Sequence, residues 1–77
     1  MNIYWCNEKH EPLGLYVIAR TRGRAKERFA AEAECDFTDV RTQLMRRGVN
    51  EPFEGTIEEG SSLLKKHGLE YAESEEW

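Results

Sequence analysis

Two cysteines and two histidines, Cys6, His10, Cys35 and His67, are the residues of this chain with the most chemistry open to them. Together they match the ligand count of a structural zinc site, and Cys6 and His10 lie close enough in sequence to form one half of it. The second half is missing. Cys35 and His67 stand 32 residues apart, whereas zinc sites draw on two close-set pairs, so no metal is expected and the thiols read as small core residues. A cysteine nucleophile would need a histidine beside it and a third group to orient that base. The sequence contains no such motif, nor a glycine-rich phosphate loop, a nucleophile elbow or paired carboxylates at metal-binding spacing. No catalytic residue and no cofactor are therefore expected, and the chain reads as a non-enzyme.

Charge offers more than reactivity does. The formal net charge of -4 conceals a polarity along the chain: residues 20 to 47 carry eight basic side chains against five acidic ones, and residues 48 to 77 carry two against eight. The basic run Arg20, Arg22, Arg24, Lys26 and Arg28, with Arg46 and Arg47, has the composition of a phosphate-holding patch. Alternate spacing on a helix scatters these residues around the axis, and Glu27, Glu32 and Glu34 dilute their field. A solvated helix face explains them as well. The carboxylates Glu51, Glu54, Glu58, Glu59, Glu70, Glu73, Glu75 and Glu76 form a dispersed acidic surface. Such a surface can oppose a basic groove that otherwise holds phosphates, or simply keep the protein dispersed. The candidate contact residues are Arg22, Arg24 and Arg28 on the basic side and Glu58, Glu59 and Glu70 on the acidic side.

These residues need a scaffold, and 77 residues suffice for one domain with a thin core that buries about 60% of the unfolded chain's surface. Met1 to Cys6, rich in Ile, Tyr and Trp, reads as a first strand. Leu15 to Ala19 is apolar at every position, as in a central strand covered on both faces or flanked on both sides. Pro12 and Gly14 between them favour a hairpin with a longer loop. Tyr4 and Trp5 then project to opposite faces, one toward the helix and the other exposed or under the C-terminal segment.

Thr21 offers an N-cap oxygen to a helix over 22–34, with Phe29 as the anchor of a narrow apolar face that includes Ala25 and Ala33. Phe37 to Met45 alternates with a period of two and reads as a third strand. Gly48, Asn50, Pro52 and Gly55 predict an irregular loop after it. A short second helix, capped by Ser61 or Ser62, runs through Leu63 to His67 and ends on Gly68 and Leu69 in a Schellman motif. The order β, β, α, β, α gives an α+β fold: a small antiparallel sheet of about three strands with one main helix packed across it. Residues 1–77 form a single domain, with 72–77 as a frayed tail.

The high charge content argues against a membrane span, and Met1 to Cys6 has no basic stretch followed by a long apolar run, so no secretory signal is expected. The default compartment is the cytoplasm, with Cys6 and Cys35 reduced; a single bridge between them is geometrically open but not required.

In size, in its compact α+β pattern without a catalytic motif and in its acidic balance, the chain resembles the short orphan proteins of bacteriophages and prophages, a group that includes anti-CRISPR and other anti-defence inhibitors. The resemblance implies an inhibitor that occupies a functional surface of a host nuclease or nucleic-acid-binding complex. It carries no residue assignments. The expected function is a non-enzymatic module with a protein partner, the alternative being a small nucleic-acid-binding or regulatory domain that uses Arg20 to Arg28. A homodimer formed at the sheet edge is compatible with both.

Overall fold

The computed structural model describes residues 1–11, 13–57 and 62–69. Strands β1 (Asn2–Glu8) and β2 (Gly14–Ala19) form the expected antiparallel hairpin, with Tyr4 opposite Val17 and Cys6 opposite Leu15. Gly14 is needed there for close approach, since a Cβ at this position would lie 2.1 Å from the Cys6 carbonyl oxygen. Helix α1 (Arg22–Ala33) follows, and its Thr21 cap accepts from the Arg24 amide at 3.2 Å. β3 (Val40–Arg46) then pairs antiparallel with β1 on the side away from β2.

Among the described residues the sheet has four strands, not three, in the order β3-β1-β2-β4. The additional strand β4 (Gly55–Ile57) lies within the stretch expected to be irregular and pairs antiparallel with β2. Three residues behind Pro52 have no strand signal of their own; the free edge of β2 supplies the ladder that local sequence lacks. The third strand also starts later than its alternation suggested, because Phe37–Asp39 forms one turn of 3-10 helix. A bulge where β3 meets Ile3 and Tyr4 places Met45 as an extra residue between Leu44 and Arg46.

Both faces of the sheet are covered. On one, α1 sets Ala25 and Phe29 against Tyr4, Cys6, Val17, Ala19 and Val40. On the other, helix α2 (Ser62–Lys66) brings Leu64, with Leu69 and Val49, onto Ile3, Tyr16, Ile18 and Ile57. The apolar run in β2 therefore divides between two cores. Tyr4 faces α1, while Trp5 packs on the opposite face edge-on to Tyr16, with ring centroids 4.9 Å apart.

Both helix ends are closed by left-handed residues. Gly68 (φ 73°) ends α2 as expected, the Leu69 amide donating to Leu64 O at 2.8 Å and the Gly68 amide to Lys65 O at 3.1 Å. At the end of α1 the left-handed residue is Glu34 (φ 58°), which carries both a Cβ in an unfavourable region and a negative charge at the negative end of the helix dipole. Glu34→Gly is expected to raise stability by about 1 kcal/mol, measured as an upward shift of the urea midpoint. A decrease would mean that the Glu34 side chain contributes more than its backbone strain costs.

Candidate functional site

The basic segment folds into α1, and the i, i+4 geometry sorts its side chains onto two flanks. On the flank toward β3, Arg22 donates to the Thr42 carbonyl at 2.9 Å and to Thr42 Oγ1 at 2.6 Å, and its guanidinium lies 5.7 Å from the Tyr4 ring centroid. Lys26, one turn on, sits 5.6 Å from the centroid of Phe37. On the flank toward β4, Arg24 grips Glu54 with Nε at 2.8 and 3.0 Å and Nη2 at 2.7 Å, and Arg28 approaches the same carboxylate at 3.6 Å. The sequence-derived trio is therefore divided: Arg24 and Arg28 converge, and Arg22 faces the other way. Glu58, Glu59 and Glu70, the acidic candidates, lie outside the described residues.

Glu54 organises the β4 flank. Its side chain is only 10% exposed and accepts in addition from the backbone N–H of Arg20 at 3.1 Å, just ahead of the helix. No acidic residue occupies the first turn of α1, so Glu54 supplies from a distant segment the negative charge that the positive helix end favours. The Arg24 hydrogen bonds, and after them the bond from the Arg20 backbone, hold the Glu54 carboxyl down at about 2, and Arg24 is in turn held above the usual arginine range.

A carboxyl depressed on folding stabilises the fold above its unfolded value, about 4.3, and loses that contribution as pH falls toward 2. Glu54→Gln is expected to cost about 1–2 kcal/mol at pH 7, the lower range because Arg24 is half exposed and screened. Urea midpoints measured from pH 7 to pH 2.5 should show the difference between variant and wild type closing below about pH 4. A constant difference across that range would deny the ion pair its role.

A second carboxylate from the same connection works alike at the other helix. Glu51 accepts from Lys66 Nζ at 3.0 Å and lies 3.0 Å from His67 Nε2, contacts that hold its carboxyl below the ordinary range, the His67 contact most. Arg46 donates to the carbonyls of His67 at 2.9 Å and Gly68 at 3.4 Å, tying the end of α2 to β3. Segment 47–54 is thus fastened to α2 through Glu51 and to α1 through Glu54. Neither pairing is visible in the sequence, because the partners lie 15 to 34 residues apart with no shared periodicity.

The cysteines and histidines do not assemble. Cys6 is fully buried beneath α1, and burial pushes its thiol up to about 12, far from a nucleophilic thiolate at neutral pH. Cys35 is half-buried at the end of α1; partial burial, then Glu8, Asp39 and Asp36, raise its thiol as well. Both are free thiols. Among the described residues no three His, Cys, Asp or Glu side chains are grouped to hold a metal ion. A recess of about 280 Å³ beside Arg28, lined by Ala31, Glu32, Gly55 and Thr56, is open to solvent. No helix among the described residues is long and apolar enough to cross a membrane. Comparison with family models, curated proteins and solved structures gives no match to this chain.

Proposed function

We propose that this chain is a non-enzymatic protein-binding module of the cytoplasm, acting in the manner of a phage-type inhibitor on a host nuclease or nucleic-acid-binding complex. The observation that carries the preference for protein over nucleic acid is the double engagement of Glu54. Arg24 and Arg28, two cations of the basic segment, already share the Glu54 carboxylate. Phosphate could take them only in competition with Glu54, which would then keep the Arg20 backbone N–H alone. Apolar side chains, meanwhile, remain available: Leu13, Phe37 and Phe53 are exposed, the kind of anchor that protein interfaces use.

The test is affinity capture from bacterial lysate with the tagged chain, with and without nuclease treatment, and mass spectrometry of the retained material. A defined protein partner that survives nuclease is the expected result. Retention that vanishes with nuclease would overturn the reading in favour of nucleic-acid binding through Arg20 to Arg28.

A further inference from the structure

Among the described residues the sheet presents two edges, that of β4 over three residues and that of β3 over seven. The Lys9 amide donates to Asp39 O at 2.7 Å, which makes that pair hydrogen-bonded across to the β1 side. With Asn7 opposite Arg41 and Trp5 opposite Gln43, the period of two turns the backbone groups of Arg41 and Gln43 toward β1 and those of Val40, Thr42 and Leu44 outward. The outward Thr42 carbonyl is occupied by a side chain, Arg22, instead of by another strand. An edge closed by one exposed, long-stemmed cation is protected against casual pairing but is readily reopened.

The charges along this edge select what can reopen it. Arg22 and Lys26 lie on its helix side, Arg41 projects from the opposite face and Arg47 follows the strand, all of them wholly or partly exposed; Asp36 and Asp39 stand only at its beginning. A second copy would bring these cations against one another. An acidic chain would not.

We propose that the outer edge of β3 receives an extended acidic segment of the protein partner as a fifth strand, with Arg22 releasing Thr42 to pair with a carboxylate of that segment. An incoming backbone N–H replaces the guanidinium at the Thr42 carbonyl, and the guanidinium gains a carboxylate that it can engage in bidentate form. This rests on the protein-binding reading above and names the surface and the chemistry that reading requires.

The probe is an acetylated and amidated octapeptide of alternating Glu and Val, titrated into the ¹⁵N-labelled chain and followed by amide shifts. Saturable shifts centred on Thr42 and Leu44 are expected, with affinity at least tenfold above that of the Lys-for-Glu peptide. N-methylation of alternate peptide amides, on the side that faces β3, should abolish them. In Arg22→Ala the preference for Glu over Lys should fall to within about threefold. Equal response to both peptides, shifts away from β3, or an unchanged preference in Arg22→Ala would each overturn the proposal.

Thr42→Pro separates this proposal from the broader one, because proline is tolerated where the amide points outward and blocks an added strand. In the nuclease-treated capture, loss of a wild-type protein partner by Thr42→Pro supports the β3 edge. Equal retention overturns the edge and leaves protein binding standing, and absence of any protein partner removes both. If Thr42→Pro does not fold, the N-methylated peptide still decides the question.

Discussion

Ile18→Ala is expected to remove about 3–4 kcal/mol of stability, about a third or more of what a domain of this length holds. Ile18 is fully buried in β2, facing the core built from Ile3, Tyr16, Ile57, Leu64 and Leu69. Truncating such a residue loses its transfer free energy and leaves a cavity, a combined cost of about 2–5 kcal/mol. A chain of this length holds about 0.05–0.15 kcal/mol per residue, about 4–12 kcal/mol in total. The upper half of the truncation range applies because β2 is central, flanked by β1 and β4, and cannot shift to fill the space without disturbing the core on its other face. The urea midpoint should fall by about 1.5 M or more, given a slope near 1–2 kcal/mol per M. Leu13→Ala removes nearly the same bulk from a side chain that is 71% exposed, and should move the midpoint by less than about 0.5 M. A small effect at Ile18 would mean that α2 and segment 47–54 do not form a stable second layer.

That second layer is where sequence and structure part company. Local signals were legible: the unbroken apolar run of β2 marked a central strand, Thr21 and Phe29 defined the start and the buried stripe of α1, and Gly68 with Leu69 marked the end of α2. Each acts within a few residues, through periodicity or capping. What the sequence withheld depends on partners far away. β4 is a strand only because β2 has an edge to offer, and the bulge at Met45 arises from how β3 meets β1. Glu51 and Glu54 read as two members of a dispersed acidic surface until the fold brings Lys66, His67, Arg24 and Arg28 to them. The basic segment is the converse case. Its scatter around the helix could be read from spacing, but not that Glu54 would hold one flank and Thr42 receive the other.

Two neighbouring proline substitutions in β3 should differ by more than 2 kcal/mol, and the sign of the difference tests the register directly. Gln43 lies opposite Trp5, and the alternation set by the Lys9–Asp39 hydrogen bond directs its amide into the ladder with β1. Gln43→Pro deletes that donor, strands an acceptor on β1 and presses the pyrrolidine ring into the pairing, a combined cost of about 3 kcal/mol or more. Thr42→Pro removes an amide that points away from β1 and forfeits chiefly the bond from Arg22 to Thr42 Oγ1, about 1 kcal/mol. At roughly 4–8 °C per kcal/mol for a domain of this size, Gln43→Pro should melt at least 8 °C below Thr42→Pro by circular dichroism. If Thr42→Pro were the more damaging, the outward set would be Arg41 and Gln43, every side chain of β3 would change faces, and Val40 could not sit beneath α1 beside Phe29. The same exchange would aim the Thr42 carbonyl at β1, out of reach of Arg22, so the melting order of these two variants decides the packing of β3 and the availability of its edge in one measurement.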